Sequence, residues 1–323
     1  MRRNTNGALI LAGLILFAGL LVGIIGLSML GFDFTRLDTT RYESKEHKIS
    51  DDFDKISIEA NTADVKLELS DDEECRAVCN ESEKAKFSVS AENGTLTVRE
   101  VDNRKWYDRI GFNFTTGCVT VYLPRSEYSY LEIETDTGDC HISNQLSFEH
   151  AKLKTDTGDT LFYASVLNML EITTDTGDIR LEDIYCGSLR ISADTADVTL
   201  KSLEVTESVQ LETNTGDILF KDSTFKEATI KSDTGGVTFT GVIILGVLNI
   251  ETDTGDINLI LSDADSIRIK TDTGDVSGSL LSGKDFKTDT STGDVDLPKD
   301  SEGGRCEVTT HTGDIEFSIK SKS

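Results

Sequence analysis

The chain has 323 residues, with 32 basic and 58 acidic side chains and a formal net charge of −26. That acidity excludes a nucleic-acid partner, whose phosphates demand Lys and Arg, and it disfavours charge-driven adhesion to anionic lipid. With 7% aromatic residues, 26 Gly and 2 Pro, a thin repetitive β structure fits the composition better than an α/β enzyme with a thick core.

No charged residue stands between Asn4 and Phe32, and the stretch 7–32 is almost wholly apolar. Roughly 20 such residues in a helix cross a hydrocarbon core about 30 Å thick, so 7–32 is expected to be a transmembrane anchor helix. Arg2 and Arg3 precede it and Asp33 follows it. The positive-inside tendency then puts residues 1–6 in the cytoplasm and everything after the helix outside, as a single-pass protein of the cell membrane. A cleaved signal peptide is the competing reading. Its apolar core normally runs about 7–15 residues, and Ser28-Met29-Leu30-Gly31 makes a poor cleavage site. Residues 33–50 are polar, mixed in charge and aperiodic, and read as a stalk.

Residues 51–130 hold irregular β units expected to cap the regular repeats. The segment 55–69 (KISIEANTADVKLEL) alternates around an Asn61-Thr62-Ala63-Asp64 turn. The segment 87–99 is an alternating hairpin with Asn93-Gly94 as a type I′ turn. Residues 104–114 (RKWYDRIGFNF) form an aromatic, locally basic patch containing the single Trp. Trp106, Tyr107 and Phe112 there are either a cap over the first rung or a loop that contacts a ligand or the bilayer.

From 131 to 323 the chain repeats itself. T-D-T-G-D stands at 135–139, 155–159, 174–178, 252–256 and 271–275, with variants at 193–197, 213–217, 232–236, 290–294 and 310–314. The interval is always 19 or 20 residues. Apolar residues alternate on either side of each turn, as in Leu131-Glu132-Ile133-Glu134 and Ile179-Arg180-Leu181, which means strands with one buried face. In the turn, an Asp or Asn side chain can bond to a nearby N–H and Gly supplies the unusual φ; Ala196 stands where other units have Gly. A unit this small cannot bury its own apolar face. Stacking does so, which predicts an all-β single-stack β-solenoid with rungs about 4.8 Å apart. The far end is expected at 315–323, where Lys320 and Lys322 would discourage edge pairing.

An anchor helix, a short stalk and tandem T-D-T-G-D units resemble the bacterial "putative adhesin" family of membrane-anchored β-solenoid proteins, over roughly residues 50–320. The resemblance implies a solenoid at the cell envelope, sometimes beside envelope-stress regulators. It brings no catalytic residue.

Asp-Thr-Gly is also the aspartic-protease tripeptide, but such enzymes need two on facing lobes. Here six recur in register, beginning at Asp136, Asp156, Asp175, Asp233, Asp253 and Asp272, which is turn chemistry. A second column, Asp139, Asp159, Asp178, Asp197, Asp217, Asp256, Asp275, Asp294 and Asp314, has two readings. Either turn N–H groups hold each carboxylate, or Ca²⁺ bridges adjacent rungs weakly. No other cofactor is expected. The six cysteines form no C-x-x-C pair, Cys75 and Cys79 could close a small loop, and the four histidines are scattered singly.

These features predict a non-enzymatic, membrane-anchored surface rod: an adhesin, envelope scaffold or binding module. Its partners are expected to be the membrane and a cell-wall polymer, glycan or envelope protein. The alternatives are a regulatory partner of an envelope-stress system and a polysaccharide-active β-helix enzyme.

Overall fold

The computed structural model describes residues 15–21, 28, 42–83, 85–102, 117–299 and 301–320. It is a parallel β-solenoid. One rung can be followed from Ile179–Glu182, through a corner at Asp183, into Tyr185–Thr195 and round the Asp-Thr-Ala-Asp corner to Val198–Lys201. Short strands of this kind stack in one parallel sheet, where Ile179 pairs with Val198 and Val198 with Ile218. The long strands stack in another, where Ile191 pairs with Leu211 and Leu211 with Ile230. A bulge in most long strands, such as the shift between Cys186 and Leu189, bends each of them in two and gives the rung a third side.

Alternation decides what lies inside. In Ile179–Glu182 the residues run buried, exposed, buried, half-buried, and in-register stacking turns each buried position into an apolar column along the rod. Phe220 and Phe239, paired across neighbouring rungs, stack with ring centroids 4.5 Å apart. The corner opposite T-D-T-G-D uses a left-handed residue in five successive rungs, at Asp183 (φ 56°), Ser202 (55°), Asp222 (48°), Gly241 (67°) and Leu261 (49°).

The T-D-T-G-D corner needs glycine for two reasons. Gly216 has φ +131°, and a Cβ on it would collide with the Ala196 carbonyl of the rung beneath. Ala196 escapes that conflict because its φ is not positive, and its own side chain, 3% exposed, enters the core. The predicted hairpin turn is present as well, with φ of 52° at Asn93 and 76° at Gly94.

Rungs do not stack in strict chain order at the ends. Lys55–Ala60 lies between Thr95–Asp102 and Glu127–Thr135, so the first rung has later chain on both sides. Antiparallel strands close this end: Ala85–Glu92 on Thr95–Asp102, and Glu43–Ile49 on Cys75–Glu81, which itself runs antiparallel to Cys118–Leu123. Here Oε2 of Glu100 accepts the N–H groups of Asn61 (2.7 Å) and Thr62 (3.0 Å) at the corner that follows Lys55–Ala60.

The far end corrects the sequence reading. Gly304–Thr312 inserts between Ile257–Thr273 and Lys284–Thr292, so the latter, and not the end of the chain, forms the outermost long strand. Burial explains the exchange. The inserted rung points Cys306, Val308 and Thr310 inward, all at most 2% exposed. The outer rung points Phe286, Thr288 and Thr290 inward, each half-buried, a more polar set suited to an end.

Two further expectations concern the anchor and the cysteines. Residues 15–21 are helical, but among the described residues no helix is long and apolar enough to cross a membrane. The remainder of the predicted 7–32 anchor, apart from residue 28, lies outside them. Cys75 and Cys79 do not close a loop: they share the strand Cys75–Glu81 and are free. Four residues of extended chain separate them by about 13 Å, too far for a disulfide.

Candidate binding surface

The repeating corner puts three exposed columns side by side along the rod. In the unit 135–139, Thr135 is buried beneath the corner while Asp136, Thr137 and Asp139 are exposed. The same pattern at 155–159, 174–178, 252–256 and 271–275 makes two lines of carboxylate flanking a line of threonine.

The second carboxylate line is held by backbone. Oδ1 of Asp64 accepts the N–H of Asp139, and Oδ1 of Asp139 accepts that of Asp159. The series continues through Asp178, Asp197, Asp217 and Gly236, and again from Asp256 through Asp275 and Asp314 to Asp294. All these contacts lie between 2.7 and 3.2 Å. Unit charges about 4.8 Å apart repel by roughly 0.9 kcal/mol in water-like dielectric. A hydrogen bond from an amide to a charged acceptor contributes about 1.5–3 kcal/mol, the low end applying at a surface. The bond outweighs the repulsion, which is why the same acidic residue can recur rung after rung. Gly236 breaks the line because it has an N–H to give but no carboxylate to accept the next. At the far end the order Asp275, Asp314, Asp294 follows the exchanged rungs, which spacing alone did not reveal.

The first carboxylate line is softened where other residues enter it. Asn214 Nδ2 donates to Asp194 at 3.2 Å, and His311 Nδ1 lies 3.0 Å from Asp272 Oδ1. Among the described residues, no group of three or more His, Cys, Asp or Glu is placed to hold a metal ion. All nine predicted Asp residues are exposed on one edge. Trp106, Tyr107 and Phe112 lie outside the described residues.

Mixed charge flanks this edge on both sheets. Across rungs of the long strands Lys154 meets Glu134 at 2.8 Å and Lys270 meets Glu251 at 2.8 Å; on the short strands Glu182 binds Lys201 of the next rung and Arg180 of its own strand. Hydrogen bonds from Lys154, Lys270 and Lys201 hold these three carboxyls below their ordinary value. The buried cysteines are chemically quiet. Burial pushes the thiols of Cys79, Cys140, Cys186 and Cys306 up to about 12.

The clefts lie toward the capped end. One of about 580 Å³ is bordered by Arg125, Ser147, Glu149, Leu167 and Tyr185 among others. Another of about 580 Å³ lies against Lys48, Asp51, Phe53, Glu74 and Arg125. A third, of about 570 Å³, is bordered by Ser57, Ser129, Glu132, Glu149 and His150 among others.

A parallel stack of near-identical rungs with a backbone-bonded acidic edge defines a β-solenoid of repeating-surface type. The chain belongs to the Toastrack DUF4097 family, whose model matches residues 53–240 and, overlapping, 205–323. Comparison with curated proteins finds no match. Solved structures with a similar build include a "putative adhesin" from Bacteroides fragilis, 15% identical, with 86% of this chain and 97% of that one covered at a TM-score of 0.44. A "putative lipid binding protein" from Parabacteroides distasonis is 17% identical, with coverage of 87% and 98% and a TM-score of 0.48. A "putative adhesin" from the same species is 11% identical, with coverage of 86% and 98% and a TM-score of 0.45. At these identities the likeness says nothing of activity.

Proposed function

We propose that this protein is a non-enzymatic surface rod, anchored in the cell membrane through residues 7–32, that presents its acidic edge outside the cell to a repetitive partner such as a cell-wall polymer, a glycan or an envelope protein. The observation that supports this reading most directly is the sameness of the edge. Asp, Thr and Asp recur along the rod at the spacing of the rungs, and along most of it the second carboxylate is fixed by the next rung's backbone N–H. A fixed, periodic row suits a partner that is itself periodic. A polysaccharide-active enzyme instead needs unlike groups converging on one bond, whereas the edge offers the same residues rung after rung.

Binding of the full-length protein to purified wall polymers and glycans tests the proposal. Replacing Asp156, Asp175 and Asp194 together with Asn should weaken binding while circular dichroism stays unchanged. Binding that is indifferent to these changes would remove the acidic edge as the contact. Bridging of the column by Ca²⁺ belongs to the same proposal. Melting with and without millimolar Ca²⁺ at fixed ionic strength decides it, since an unchanged Tm excludes the bridge. Anchoring is tested separately, by asking whether the protein stays with membranes after alkaline extraction.

A further inference from the structure

The two ends of the rod are finished differently. Antiparallel strands cover the first rungs. Among the described residues nothing lies over the last one: Lys284–Thr292 pairs only with Gly304–Thr312, and Val295–Asp296 only with Ile315–Ile319. Lys320, expected to guard the final edge, sits one rung further in, with its N–H on the Leu280 carbonyl. The outer strand therefore carries an open edge. Its Thr292 carbonyl accepts the Gly313 N–H on the inner side, so by the alternation of a strand Asp285, Lys287, Asp289 and Ser291 turn their N–H and C=O groups away from the rod. The core ends here as well. Val295 is 45% exposed, whereas Ile315, its partner in the rung beneath, is fully buried. Phe286 and Leu297, packed against the core, are only half-buried.

We infer that this open end is the contact between two copies of the chain, joined tail to tail with their outer strands antiparallel. An unpaired edge is a template for another strand, and the charges along it select which one. A neutral strand would leave exposed Asp285, Lys287 and Asp289 unmatched. The same strand turned about a two-fold axis at Thr288 matches them. Lys287 of each copy lies opposite Asp289 of the other, and Asp285 lies opposite Ser291. Phe286 then faces Thr290 and Thr288 faces its counterpart, so inward residues meet inward residues, as the pleat requires. Lys287 and Asp289 both turn backbone groups outward, which a hydrogen-bonded antiparallel pair needs. Sliding the strands by two residues sets Lys287 on Lys287 in one direction and Asp289 on Asp289 in the other, so charge fixes the register in which the whole strand overlaps. Past the corners, the same axis turns Val295 of each end toward half-buried Leu281 of the other. Such a contact is isologous and closes as a pair. One strand and the end of a narrow core make it small, of the weak and transient class. If the anchors stand at the capped ends, as proposed, the pair spans two facing membranes, where many such contacts add. That consequence rests on the proposed anchoring; the contact itself does not.

Sedimentation of the full chain in detergent, across a wide range of concentrations, should show a reversible dimer. Asp289→Lys sets cation against cation and Lys287→Asp sets anion against anion. Each should weaken self-association roughly tenfold with an unchanged circular dichroism spectrum, since both side chains are exposed. Mixing these two variants should recover the dimer, because two cations then face two anions. Register is read with a short bismaleimide. A mixture of Asp285→Cys and Ser291→Cys chains should crosslink, and Ser291→Cys alone should not exceed the wild type, which controls for the native thiols. A protein that stays monomeric at every concentration, single variants that associate as the wild type does, a mixture that recovers nothing, or Ser291→Cys crosslinking alone as strongly as in the mixture would each overturn the inference. Failure of the alkaline-extraction test would leave it untouched.

Discussion

Oδ1 of Asp217 accepts the backbone N–H of Gly236 at 2.8 Å, and there the acidic line stops. Gly236 cannot pass the bond on to Asp256, so the column falls into two segments. A Cβ on Gly236 would meet the Asp217 carboxylate and the Asp256 carbonyl only at ordinary contact distance, 3.5 Å each. Gly236→Asp should therefore join the segments and raise stability by about 1 kcal/mol, from the added bond and the stiffer unfolded chain. Chemical denaturation checks this, with a loss of stability as the contrary result.

Thr160 fills a place in the core column between Cys140 and Ile179. It is fully buried and its hydroxyl has no hydrogen-bond partner. Thr160→Val keeps the shape and removes the unsatisfied group, so a gain of about 1 kcal/mol is expected. Equilibrium unfolding of the pair of proteins measures it.

Lys284, only 2% exposed, reaches Asp263 at 2.6 Å across the exchanged rungs and Ser282 Oγ at 2.6 Å within its own. Lys284→Ala would leave the Asp263 carboxylate without its cation beside the core. A cost of about 3–5 kcal/mol is expected for breaking such a pair. Limited proteolysis should then cut first around 297–303, the return segment of the outer rung.

Acid should loosen the rod before alkali does. Hydrogen bonds from Lys201, Lys154 and Lys270 hold Glu182, Glu134 and Glu251 below 4.5, and bonds from Ser70 and Arg76 take Asp72 from 3.8 to about 2. Each binds fewer protons folded than unfolded. Its contribution is complete above the unfolded value and disappears as pH falls through the folded one. The melting temperature should hold steady down to about pH 5 and fall below that, in the window set by these groups. Added salt should reduce the size of the fall, because the pairs are exposed.

Native cysteines should resist alkylation. Thiols pushed up to about 12 carry almost no thiolate at neutral pH. Thiol counting with a maleimide should find the buried five unreactive until denaturant is added, in contrast to half-buried Cys118.

Much of this architecture was open to a reader of the chain alone. The 19- or 20-residue interval announced the rungs, Asn93-Gly94 announced its hairpin, and the alternation of Ile179-Arg180-Leu181 announced which side is buried. Such features are local, because period, turn chemistry and burial pattern are written within a few residues. The acidic column was legible too, and so were turn N–H groups as one way to hold it; which N–H serves each Asp was not, since Oδ1 of one Asp meets the N–H of another some 20 residues away.

What tertiary structure alone decided is the stacking order at the two ends and the side on which the apolar residues meet. Every rung has the same period and can pair with any other, so spacing is silent on which lies outermost. Competition for burial settles it: Cys306 and Val308 go fully inside, and Thr288 is left half-covered at the end. In the same way Leu245 and Tyr185, 60 residues apart in the chain, come onto one face only because the strands between them stack in register.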